Sequence, residues 1–282
     1  MILTGSAGWN LLASYPAGVD TEKCSFQAQV LVVDWPEHTR VVMSQGPHGA
    51  FAAPIRISVF EDELGVHVNS VNPSSLNRTI VAEKGMDEEW TRLAEGLRST
   101  LARNMGVGAS QRESGQFRDK GRIGRTFGIM AGGPFKEKIK TFTTVEGEVE
   151  QVAPALFETL QGMEPGPEWG ARPVYLMNPA EGVWVVGITG ERMERRSYDI
   201  VGNGSDKSRE DMACPGIDHS PAYPVEVVLT QEEGAVQVAL IDEMFRMKMF
   251  FEDAGKVAFA KNMGMPGDIE DEIKELIRSA LF

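Results

Sequence analysis

Cysteine is nearly absent. Cys24 and Cys214 are the only two in 282 residues, which excludes a disulfide framework. Two separate inert thiols are the expectation, with a single bridge between them as the alternative. Long apolar runs are missing too, none approaching the ~20 residues of a membrane helix. The opening MILTGSAGWNLLASYPAG has no positive segment and no sustained apolar stretch, so it does not read as a signal peptide. The expected location is cytoplasmic, with no membrane partner. Positive charge is in deficit: 28 Lys and Arg against 41 Asp and Glu leave a net −13. Nucleic-acid phosphate repels such a chain, so no nucleic-acid partner is expected. Histidine is limited to His38, His48, His67 and His219, with no HExxH and no i, i+4 pair. GxxxxGK[ST] and strand-GxGxxG-helix patterns are absent, so no nucleotide cofactor is indicated and the cofactor stays unknown.

What is present suits a folded globular protein. Apolar residues make up 42% and charged residues 24%, too apolar a balance for disorder. The most informative feature is an internal repeat. PIRISVFEDELGVHVNSVNPSSLNRTI (54–80) lies without a gap over PVEVVLTQEEGAVQVALIDEMFRMKMF (224–250). Only Pro54, Glu63, Val66 and Val68 keep their identity, but the pattern persists. Both stretches alternate apolar and other residues, turn through acidic residues and a glycine, and alternate again, which is the mark of a β-hairpin. A helix follows each. In the first, Asp87 is the expected cap and Met86, Trp90, Leu93, Leu97 and Leu101 share a face. In the second, Asp268 is the expected cap and Ile269, Ile273, Leu276 and Ile277 share a face. The offset grows from 170 at the hairpins to 183 at the helices, so 13 extra residues fall within 251–267 of the second copy.

This hairpin-and-helix pattern resembles the bacterial and archaeal family known as domain of unknown function 302, over residues 54–104 and 224–282. The resemblance implies a small two-layer α+β unit present twice, the copies pairing as an intramolecular pseudo-dimer. It implies no reaction.

Elsewhere, 26–33 and 39–44 read as strands, as do 173–177 and 183–189, each pair preceding one repeat unit. Residues 149–162 read as a helix with Pro154 in its first turn. Within the connector, 126–130 and 139–143 read as strands. The expected division is a first α+β unit over 1–115 and a second over 116–282, which carries the connector and the 13-residue insertion.

Four features carry candidate chemistry. Residues 112–140 hold eight basic and three acidic side chains among six glycines. Arg118, Lys120, Arg122 and Arg125 there suit a small anion such as phosphate or carboxylate, held by backbone N–H groups and positive charge. The alternative is a solvated loop. Arg78 and Lys248 occupy matched positions and join the ligand-binding candidates, near the matched polar tips Asn72-Pro73 and Asp242-Glu243. Cys214, Asp218 and His219 fall within six residues, ligand types for a transition metal or partners for a Cys–His nucleophile; the alternative is a loop turned by Pro215 and Gly216. The apolar block Met244–Phe251 reads as core or interface, or as an adaptable binding surface. The matched positions differ at Arg56/Glu226, His67/Gln237 and Asn72/Asp242, so any shared site is asymmetric.

Three functions follow. The first is non-enzymatic binding of a small ligand, anionic if the basic connector contributes, at an asymmetric pseudo-dimer site. The second is an enzyme or metal-binding protein using Cys214 and His219. The third is a protein-interaction scaffold. The expected assembly is a monomer built as a pseudo-dimer, or a homodimer.

Overall fold

Apolar residues alternate with others along 55–59, while 30–33 are apolar throughout and buried on both faces, and both patterns suit a strand, whose side chains point alternately to its two faces. The computed structural model describes residues 8–22, 24, 26–62, 65–81, 84–105, 123–126, 131–202, 214, 216–251 and 254–282. Strands β1 (Asn10–Pro16), β2 (Ala28–Asp34), β3 (Pro54–Asp62) and β4 (Gly65–Ser70) form an antiparallel sheet in that order. Helix α1 (Pro36–Met43) follows β2, and α2 (Pro73–Ile80) and α3 (Asp87–Met105) follow β4. Next come a two-stranded ribbon, β5 (Ile123–Thr126) and β6 (Ala131–Gly133), then β7 (Ile139–Glu146) and helix α4 (Val149–Gly162).

The second half repeats the order of the first. Strands β8 (Arg172–Ala180), β9 (Val183–Thr189), β10 (Val225–Glu232) and β11 (Ala235–Ile241) form an antiparallel series, with β7 added beside β11. Helix α5 (Glu191–Gly202) follows β9. After β11 come α6 (Glu243–Phe251), α7 (Lys256–Lys261) and α8 (Met265–Leu281). The registers agree as well. Val32 faces Arg56 as Gly187 faces Glu226, and the β1–β2 and β8–β9 pairs are both bulged, at Leu11/Ala13 and at Pro173/Tyr175. The fold is α+β, built on two antiparallel sheets.

The strand parity sets the layers. On the second sheet, Val186, Ile188, Val227 and Leu229 join a core with Val149, Leu156 and Leu160 of α4 and Ile273 and Ile277 of α8. The opposite face, with Val185 and Val228, belongs to a core shared with Val30 and Val32 of the first sheet. The two sheets therefore meet face to face, with helices outside. Residues from both sides of the boundary expected near 105–125 build this shared core. Each half also lends a 3-10 turn to the other: Pro47–Phe51 packs on β9 and β10, and Ile217–Ala222 on β2, β3 and β4. Such reciprocal contacts are those of a twofold interface.

Six expectations change. Residues 39–44 are not a strand, because Pro36 at the first helical position and Glu37 in the first turn favour α1, which turns His38, Thr39 and Val42 inward. Helix α8 starts at Met265, so Asp268 lies in its first turn rather than at its cap; α3 starts at Asp87 itself, so Asp87 too is in the first turn and not the cap, and Pro154 lies inside α4, beyond its first turn. Asn72 and Pro73 do not end a strand; they cap and open α2, Asn72 Oδ1 accepting from the Ser74 N–H at 2.9 Å. Cys24 and Cys214 are joined as a disulfide, their Cα atoms 5.6 Å apart, within the range that a bridge requires.

Candidate functional site

The second half is longer than the first at two points. Three residues separate α1 from its 3-10 turn, and fourteen separate α5 from the matching turn; α7 is inserted between α6 and α8. The insertion that carries α7 supplies Ala254, Ala258 and Asn262 as one wall of a cleft open to solvent, with enclosed space of about 80 Å³. Val201 of α5, Met247 and Phe251 of α6, and Ile269 and Ile273 of α8 form the rest of an apolar lining. The matched space in the first half is filled. Trp90 stands where Ile273 stands and is 1% exposed; Val42 replaces Ser197 and Leu76 replaces Arg246.

The cleft's polar groups are few. Ser197 donates to the Met193 carbonyl at 2.8 Å, so the Tyr223 hydroxyl, 2.8 Å from Ser197 Oγ, donates to it. Glu243 and Glu270 lie on another side. Burial opposes ionisation of Glu243, but hydrogen bonds and charge from Lys140, 2.8 Å away, hold its pKa down at about 2. Burial, opposed by Lys274, raises Glu270. Arg246 reaches in from α6. Its Nη2 donates to the Ala222 and Pro224 carbonyls, and the guanidinium lies 5.3 Å over Tyr223 and 5.0 Å over Phe250. Its Nε is buried without an acceptor. Burial lowers its pKa from the ordinary arginine value.

A second polar cluster lies between the sheets. Arg56 and Glu226, at matched positions of β3 and β10, form a buried ion pair across the twofold arrangement, 2% and 6% exposed. Arg56 also donates to the Pro224 carbonyl at 3.3 Å and stacks over Phe250 at 4.8 Å. Gly187 allows Tyr175 beside this pair, because a Cβ at Gly187 would stand 2.0 Å from the Tyr175 ring. This buried ion pair is a structural joint, and it meets the cleft through Arg246, whose guanidinium shares the Pro224 carbonyl and the Phe250 ring with Arg56.

The sequence candidates are scattered. Arg118, Lys120 and Arg122 lie outside the described residues, and Arg125 falls on β5. Lys140 of the same basic stretch is paired with Asp242 at 3.1 Å and Glu243 at 2.8 Å. Arg78 pairs with Asp87 at 2.8 Å, and Lys248 is buried on α6; neither lines the cleft. The Cys214 sulfur is spent in the disulfide, so in this structure it is neither a thiolate nucleophile nor a metal ligand. Asp218 and His219 contact each other at 3.2 Å, and the His219 ring stacks on Phe251 at 5.7 Å. No group of three His, Cys, Asp or Glu among the described residues is placed to hold a metal. Met244 and Phe245 are buried, and Met247 and Phe251 line the cleft, so the apolar block is not the exposed patch a scaffold needs. Among the described residues, no helix is long and apolar enough to cross a membrane.

Sequence reading overlooked Arg246. The alignment held the signal, an arginine placed over Leu76 on the inward side of a matched helix. No protein-family model matches this chain, and no curated protein matches it.

Proposed function

We propose that this chain is a non-enzymatic binding protein that takes a small molecule with a mostly apolar body into the cleft of its second half. The carrying observation is the cleft itself. Two copies of one element order bury the same space differently, and the hollow copy is the one with an added wall, Ala254, Ala258 and Asn262. Its apolar lining with a few polar groups is that of ligand sites. The kinship with domain of unknown function 302 and a tandem duplication are part of this reading, supported by the matched hairpins, registers and bulges. The ligand site expected at the pseudo-dimer interface moves into one half, because the interface is occupied by Arg56 and Glu226. We read the chain as a monomer whose halves satisfy the pairing face. The disulfide argues for a compartment oxidising enough to keep it, against the cytoplasmic expectation.

The test uses the neutral dye Nile red, which brightens in an apolar site. The full chain should bind it, and Ile273→Trp, which places in the second half the residue that fills the first, should bind it at least tenfold more weakly. Equal binding by wild type and a folded Ile273→Trp protein would remove the cleft from the reading.

A further inference from the structure

The cleft's charges are unevenly matched. Glu243 is paired with Lys140, and Glu270 with Lys274 on the next turn of α8. Nearby Glu226 is paired with Arg56. Arg246 has no carboxylate partner among the described residues. Carbonyl oxygens hold one edge of its guanidinium, aromatic faces cover its plane, and Nε has no acceptor. Glu226, whose charge favours the Arg246 cation, is already paired with Arg56, so two guanidiniums share one carboxylate and one buried positive charge is left unbalanced, which is costly unless something supplies the charge. The first half avoids that cost by carrying Leu76, buried, at the matched position, where no cleft is seen among the described residues. The arginine and the cleft thus occur together in one half and are absent together from the other.

We propose that the ligand of this cleft is a hydrophobic monocarboxylate whose acid group pairs with Arg246 while its apolar body lies along Met247, Phe251, Ile269 and Ile273. Arginine presents N–H groups in a planar fork that matches a carboxylate, and the bonds are charge-assisted. One guanidinium without a carboxylate of its own selects a single acid group, and a second would face Glu243 and Glu270, which lie elsewhere in the lining. This inference rests on the cleft being a binding site, and its test separates the two ideas.

Decanoate, 1-decanol and decylamine have one chain length and three head groups. Each is titrated calorimetrically, below its micelle concentration, into the full chain at pH 7. The expected order puts decanoate first, about tenfold or more tighter than decanol, the worth of a hydrogen bond to a charged group. Arg246→Leu should bring decanoate to the affinity of decanol and leave decanol unchanged. Decanol or decylamine binding as tightly as decanoate to the unmodified protein overturns the carboxylate assignment, and decylamine in first place points to Glu243 and Glu270 instead. That ranking decides the matter even if Arg246→Leu does not fold. If Ile273→Trp weakens all three ligands while their ranking is wrong, the cleft stands and only the head group was misassigned. If Ile273→Trp binds all three as wild type does, the cleft reading fails and takes this proposal with it.

Discussion

The two halves share strand order, register and even a bulge, yet they treat the space under their helices in opposite ways. In the first, Trp90 closes it, Trp35 stacks on His38 with ring centres 5.9 Å apart, and His38 meets Asn77 at 3.2 Å. In the second, the matched residues are Ile273, Gly190, Met193 and Met247, and a cleft remains. The filled half shows that the fold can close this space, so the open half is not a topological necessity. That contrast, more than any single residue, is why the cleft is read as functional.

The sharpest way to break the comparison is at the residues that hold the halves together. Matched positions across a twofold meet their own equivalents, so two arginines or two glutamates there would repel. One of each gives a pair that only a single asymmetric chain can encode. Glu226→Ala strands a buried guanidinium and should destabilise by roughly 3–5 kcal/mol. Arg56→Met with Glu226→Met should recover most of that loss, since a packed apolar pair avoids the desolvation cost of two buried charges. Chemical-denaturation midpoints check both. A near-zero loss in Glu226→Ala would mean that the matched positions do not face each other as described.

A second contrast is a pair with its ends exchanged. In the first half Thr39 donates to Asp34 at 2.6 Å; in the second, Thr189 at the Asp34 position donates to Glu194 at the Thr39 position. Glu194 is 1% exposed and also accepts from the Gly18 N–H at 2.6 Å. Burial pushes its pKa up to about 7 despite those bonds. A carboxyl raised from 4.5 to about 7 on folding contributes stability that is full below the unfolded value and is lost as pH rises through the folded one. The loss between pH 4.5 and pH 7 should be about 3 kcal/mol. His38, which burial lowers to about 4, works the other way, adding stability above pH 6.5 that is lost on acidification. Glu194→Gln, which keeps both an acceptor and a neutral head, should flatten the decline between pH 5 and 8. Melting curves across that range check it, and an unchanged slope would show that Glu194 does not titrate there.

Much of this architecture could be read in advance, for identifiable reasons. The hairpins were legible because period-two alternation around an acidic, glycine-containing turn leaves few options. The extra 13 residues were legible as a change of offset, and they hold the helix that walls the cleft. The strand reading of 39–44 failed because TRVVMS has β-branched content, while the deciding signals, Pro36 and Glu37, lie upstream. The bridge stood only as the alternative reading because Cys24 and Cys214 are separated by 190 residues and only the apposition of the halves brings them together. The basic stretch drew attention by composition, but Lys140 there answers Asp242 and Glu243. Arg246 was hidden by the opposite bias, since it sits in a Met- and Phe-rich segment that reads as core.

The smallest effect tests whether the matched polar tips do matched work. Asn72 accepts from the N–H of Ser74, and Asp242 accepts from the N–H of Phe245 at 2.9 Å, so each caps the helix after its hairpin. Losing such a cap costs about 1 kcal/mol. Asn72→Ala should show that loss with little dependence on salt, because an amide cap carries no charge. Asp242 has a second role: at 3.1 Å it shares Lys140 with Glu243 and so ties β7 to α6. Asp242→Ala should therefore cost somewhat more than Asn72→Ala at low ionic strength. The difference should shrink at high salt, where partly exposed pairs are screened. Equal, salt-independent losses at both positions would reduce Asp242 to a cap and nothing more, and would leave β7 to its pairing with β11 and to the contacts of Thr144 with Gln237 and of Phe142 with Arg278.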